Sequence, residues 1–186
     1  MSRLAPQCLA MIALALATGI DAEAIDPRGL ADPPGRRATS SEIAAADITV
    51  FPDGSGLPQG SATAREGRLV YGQHCAACHG DKGQGNDDFP PLAGGVGSLS
   101  SGTALLTVGS YWPYATTLWD YTRRAMPYPR PGSLTSQNVY AVTAYVLYLN
   151  GIVEEDSILD QTTLPEVRMP NRDGFISDPR SKRDGQ

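Results

Sequence analysis

The chain has 186 residues, 41% of them hydrophobic, with 20 acidic against 15 basic side chains and a formal net charge of −5. That length suits one domain with extensions, and 20 Gly and 15 Pro forecast much loop. An acidic balance speaks against nucleic acid, whose phosphates call for a basic face, and is compatible with a basic protein partner.

At the N-terminus Arg3 precedes the apolar run "LAMIALALATGI", which is too short and Ala-rich for a stable membrane span. Ala22 and Ala24 in "DAEA" supply the small residues of a cleavage site, so residues 1–24 read as a secretory signal and place the mature protein in the periplasm. An uncleaved anchor is the competing reading. Cys8 leaves with the signal. No later run is long enough to span a membrane. Residues 25–62, rich in Pro and Gly with little apolar periodicity, read as an N-terminal extension.

Thr63 to Cys75 reads as a short helix leading into "YGQHCAACHG". Three chemistries compete for Cys75 and Cys78. A zinc site needs four convergent ligands, but His74–Cys75 and Cys78–His79 are adjacent pairs whose side chains diverge. A thioredoxin-type disulfide needs a strand before its C-x-x-C, and the preceding residues have helical spacing. C-x-x-C-H fits covalent haem attachment: two thiols one helical turn apart add to two vinyl groups, and His79 supplies the proximal nitrogen. His74 lies outside that motif and reads as a solvent-facing or haem-edge residue.

"GDKGQGNDDFPPLAGG" follows as loop. Pro113 fits the first turn of a helix that continues through Leu118, Trp119 and Thr122 and stops at Pro127, with Met126 at the stop. Thr135 is a candidate N-cap. Val139, Val142, Val146 and Leu149 recur at helical spacing, and Asn150–Gly151 ends the helix. Residues 63–152 thus form an all-α domain. Residues 153–186 read as a C-terminal extension with Leu164, Met169 and Phe175 as isolated anchors. Both flanks either wrap a larger subunit or fold over their own domain.

"PPLAGG" resembles the cytochrome c pattern that selects Pro90 as acceptor for the histidine's other ring N–H. The ligand loop followed by a packing helix resembles the ending of a class I cytochrome c. More specifically, "DITVFPDGSGLPQG", "VGSYWPYATTLWDYTRRAMP" and "VRMPNRDGF" resemble the cytochrome c subunits of bacterial sulfite dehydrogenases, and the sulfane dehydrogenase cytochrome subunit is similar. The resemblance covers roughly residues 42–176. It implies a class I cytochrome c fold, all-α, with a single haem domain between long irregular N- and C-terminal extensions.

It also implies one haem c, metal ligands His79 and Met126, and Cys75, Cys78 and Pro90 around it. Met169 is the competing distal ligand. Trp112 and Arg124, beside the Met126 loop, are expected at the haem propionates and the partner face. The competing reading makes Trp112 core and Arg123 and Arg124 a solvated helix face. The implied role is electron transfer within a heterodimer, not catalysis by this chain alone. A molybdenum-cofactor sulfite dehydrogenase subunit would be the donor and a downstream cytochrome c or oxidase the acceptor. The mature chain has no cysteine left to ligate molybdenum. A free shuttle for another dehydrogenase, or a haem sensor or peroxidase with an open sixth position, are the alternatives.

Overall fold

The computed structural model describes residues 35–178, and the signal read over 1–24, with Cys8, lies outside the described residues. The chain divides into two compact units, Met1–Ala46 and Asp47–Gln186. In the first, α1 (Ser40–Ala46) buries no side chain. Thr39 and Glu42 cap its start reciprocally, Glu42 N–H donating to Thr39 Oγ1 at 3.3 Å and Thr39 N–H to Glu42 Oε2 at 2.9 Å.

The second unit runs β1 (Ser61–Ala62), α2 (Ala64–His74), α3 (Ala76–His79), α4 (Ala115–Ala125), α5 (Ser136–Leu149) and β2 (Leu159–Asp160). It is the expected class I cytochrome c architecture, mostly helical, with a minimal two-stranded ladder added. Thr63 opens α2 with a capping box: Glu66 N–H donates to Thr63 Oγ1 at 3.3 Å and Thr63 N–H to Glu66 Oε2 at 2.7 Å. Thr135 caps α5 by accepting from Asn138 N–H at 3.2 Å.

α5 is the central helix. Its sequence pattern reads as one apolar stripe, but every residue from Val139 to Leu147 is buried. The reason is packing on more than one side: α2 and α4 both cross it, and β1 and β2 close over it. α2 approaches closely because Gly67 has no side chain; a Cβ there would drive into the Ala141 carbonyl. Tyr71 and Tyr145 meet at this crossing with ring centroids 5.1 Å apart, and Trp119 of α4 meets Tyr140 at 5.4 Å.

Pro113 is not in the first turn of α4. The helix begins at Ala115, and Tyr114, its cap, is held extended (φ −136°) with its ring beneath the Arg172 guanidinium at 4.4 Å. The C-terminal flank forms a strap. β2 pairs antiparallel with β1, Ser61 opposite Asp160 and Ala62 opposite Leu159. Leu159, Leu164 and Met169 are buried in the core. Arg65 pairs with Asp156 and Arg68 with Glu155 along α2. Asn171 Nδ2 donates to Tyr111 O at 2.7 Å, and Phe175 packs edge-on against Tyr111 at 5.2 Å.

Candidate functional site

α2 ends at His74, and Cys75 (φ −125°, ψ −39°) breaks the helix before α3 begins. The chain nevertheless stays tightly wound, Cys78 N–H and His79 N–H both donating to Cys75 O at 3.1 and 3.0 Å. Gly80 (φ 76°) then turns the chain away, a conformation that favours glycine. Tyr71, one turn ahead of Cys75, fixes this turn by donating from its hydroxyl to Gly80 O at 2.8 Å.

A cavity of about 320 Å³ opens against this turn, within the usual size of a ligand pocket. Cys75, Cys78 and His79 line one side; Met126, Trp112 and Tyr121 line the cavity too, and Leu118, Val142 and Val146 contribute apolar wall from α4 and α5. His79 Nδ1 lies 3.2 Å from Pro90 O. A carbonyl only accepts, so Nδ1 carries a proton, which leaves Nε2 as the ring nitrogen available to a ligand. Cys75 and Cys78 are not bonded to each other. Burial, with the neighbouring Cys78 second, pushes the Cys75 thiol up to about 11. Such a thiol is poorly suited to thiolate redox catalysis at neutral pH.

The sequence-derived residues therefore divide. Cys75, Cys78, His79, Pro90, Met126 and Trp112 all line the cavity, and so does His74. Met169 does not; it is fully buried in the core as part of the strap. Arg124 is also placed elsewhere. Its Nε bonds Asp120 at 2.8 Å and its NH2 donates to Ile48 O at 2.9 Å, so it borders a separate shallow groove with Arg123, Ile48 and Ser136. The i,i+4 spacing of Asp120 and Arg124 turns that side chain along the helix rather than toward the cavity. Tyr71 and Phe89 line the cavity without having been read as site residues, and Leu118 and Tyr121 line it although the sequence marks them only as helix positions. Tyr71 sits four residues before Cys75 and Leu118 four before Thr122, spacings that put each pair on one helix face.

The donor set fits haem c. Two thiols suit thioether attachment, an imidazole with a free Nε2 and a thioether suit axial ligation of iron, and the remaining wall is largely apolar. No helix among the described residues is long and apolar enough to cross a membrane.

Comparison with known proteins agrees. The Cytochrome c family model matches residues 64–150. The crystal structure of the sulfane dehydrogenase SoxCD from Paracoccus pantotrophus contains a chain superposing with a TM-score of 0.74 at 43% identity, covering 81% of this chain and 74% of that one. The thiosulfate dehydrogenase of Stutzerimonas stutzeri (strain A1501) is 32% identical over 94 residues, 48% of this chain and 28% of that protein. The Cbb3-type cytochrome c oxidase subunit CcoP of Azospirillum sp. (strain B510) is 36% identical over 91 residues, 46% of this chain and 30% of that protein. The match thus spans under a third of each of these two curated relatives.

Proposed function

The chain belongs to the cytochrome c family, and from that premise we propose that it is the mono-haem electron-transfer subunit of a periplasmic sulfite-oxidising dehydrogenase. A molybdenum-cofactor subunit reduces it, and a downstream cytochrome c or oxidase takes the electron on. The observation that carries the haem assignment is the meeting of Cys75, Cys78, His79 and Met126 on one largely apolar cavity. The sulfur context rests on likeness to the sulfane dehydrogenase chain.

When bound, haem c supplies a one-electron ferric–ferrous couple. Everything else is the work of side chains. Cys75 and Cys78 anchor the group covalently. His79 offers Nε2 because Pro90 O engages Nδ1. Met126 offers a soft, neutral sulfur, which favours the ferrous state and raises the potential. Leu118, Val142 and Val146 exclude water from the buried side. With both described cysteines committed to attachment, a molybdenum thiolate ligand has to come from the partner.

The test uses the full chain produced with a cytochrome maturation system. The wild type is expected to keep one haem through a denaturing gel, and Cys75→Ala and Cys78→Ala each to lose covalent attachment or fail to mature. Mixing with the molybdenum subunit and sulfite should reduce the haem within a stopped-flow trace. A mature mass without the haem increment sinks the haem assignment. Haem that other donors reduce but sulfite with that partner does not would sink the sulfite context alone.

A further inference from the structure

We propose that Asn86 is the positioning residue for His79, holding the Pro90 carbonyl against the imidazole and thereby setting the donor strength of the axial nitrogen. The proposal rests on the reading of His79 as a haem ligand given above.

The Pro90 carbonyl has an aligning task that its own residue cannot secure. Proline has no N–H with which to fix itself, and Pro90 is exposed in a Gly-rich loop. Its position must come from neighbours. On one side Leu92 N–H and Ala93 N–H both donate to Gly83 O, at 2.7 and 3.0 Å. On the other side the bonds that hold residues 88 and 89 go through residue 86, while Gly85 N–H donates to His79 O at 2.8 Å. Asn86 Oδ1 accepts from Asp88 N–H and Phe89 N–H at 2.9 Å each, and Asn86 N–H donates to Phe89 O at 2.9 Å. Asn86 Nδ2 donates to Cys78 O at 3.0 Å. One side chain therefore ties the loop that delivers Pro90 to the residue immediately before His79.

The orientation of the amide is not arbitrary. Backbone N–H groups only donate and the Cys78 carbonyl only accepts, so Oδ1 must face the loop and Nδ2 the cysteine. Asparagine alone fills both roles at this length; aspartate has no donor and serine is too short. Gly85 supports the same fold, since at φ +71° a Cβ would fall 2.6 Å from Phe89 O and from Pro91 N. The groups freed by removing Asn86 lie in an exposed loop, where water satisfies them at small cost to stability. What water does not replace is the alignment of Pro90 O on His79 Nδ1. A weaker bond there leaves the imidazole less basic, a poorer partner for ferric iron, and raises the reduction potential.

The holoprotein of Asn86→Ala should therefore show a higher reduction potential than wild type, and exchange of the His79 ring N–H on the order of tenfold faster. Asn86→Ser, which keeps a short acceptor for the turn but loses the link to Cys78, should shift both in the same direction by less. Arg65→Ala, which removes the ion pair to Asp156 at the first turn of α2, should move neither. Unchanged potential and exchange in both Asn86 variants, with covalent haem and histidine ligation intact, would overturn the positioning role and leave the haem reading standing. Absence of a histidine-ligated haem in the wild type would overturn both.

Discussion

His79 and Met126 face the same cavity, yet the chain holds them differently. The histidine side is closed by hydrogen bonds among residues 78–93: Pro90 O on Nδ1, Gly85 N–H on His79 O at 2.8 Å, and Asn86 spanning Cys78 and Phe89. The methionine side is sparsely bonded. After α4, Met126 N–H donates to Thr122 O at 3.1 Å and Arg130 N–H to Pro127 O at 2.8 Å, and Tyr128 stands 76% exposed. Its wall is assembled from far along the chain. Trp112 packs edge-on against Tyr121 at 5.7 Å, and the 111–114 segment behind it is pinned by Asn171 and Arg172 of the strap. One proposed ligand is thus positioned by its own neighbourhood, the other by completed tertiary structure. Under stress the methionine side should yield first, because its supports are long-range and few.

The largest test of that asymmetry truncates Met126 and Met169 in turn. Methionine ligation of ferric haem gives a weak far-red charge-transfer band. Met126→Ala should abolish it while His79 ligation and covalent attachment persist. Met169→Ala should keep the band yet destabilise the fold by about 2–5 kcal/mol, the cost of truncating a fully buried methionine, read as a lower thermal midpoint. Loss of the band in Met169→Ala alone would transfer the ligand to the strap and dissolve the distinction between the two sides.

The histidine side was also the more legible in the sequence, for the same physical reason. C-x-x-C-H, the short helix from Thr63 to Cys75 and the Thr135 cap are local patterns, and local patterns survive into structure because their partners lie within one turn. Met126 has no motif of its own; its reading rests on its place at a helix stop before the last helix and on the family resemblance. The strap was not: Leu164 and Met169 read as isolated anchors, since a two-residue ladder between Ala62 and Leu159 carries no periodicity. Burial of α5 all round exceeded its Val139–Val142–Val146 stripe because covering segments come from both ends of the domain. Pro113 misled for a related reason, as the stacking of Tyr114 under Arg172 delays the helix by tertiary contact. Asn86 carries no motif at all; its role follows only from where the loop closes.

Asn171→Ala sharpens the comparison at intermediate effect. It removes the bond to Tyr111 O, a net loss of about 1 kcal/mol, on the segment that presents Trp112 to the cavity. The far-red band should be intact at room temperature but fade on heating well before the helical signal is lost, whereas in the wild type the interval between the two is narrower. Histidine ligation should hold until global unfolding. Coincident loss of band and helix, at the wild-type separation, would mean that the strap does not support the methionine side.

Arg124 offers the smallest effect and the cleanest boundary for that side. Its guanidinium is committed to Asp120 and the Ile48 carbonyl, with a side chain 39% exposed. Arg124→Glu sets two carboxylates at i,i+4 and puts a negative charge at the C-terminal end of α4, both unfavourable. Exposure and screening hold the cost to about 1 kcal/mol. Because the residue borders the shallow groove rather than the cavity, the far-red band and the reduction potential should stay near wild type. If the groove belongs to the docking face, haem reduction by sulfite through the molybdenum subunit should slow and its salt dependence change, since rim charges act mainly on encounter. Arg123→Glu, whose guanidinium lies over Trp119 at 5.6 Å, tests the same groove from its inner edge. Unchanged rates and salt slopes in both variants would remove the groove from the docking face. Loss of the far-red band in Arg124→Glu would instead extend the methionine side to include the end of α4, and the division of the cavity into a bonded half and a packed half would have to be redrawn.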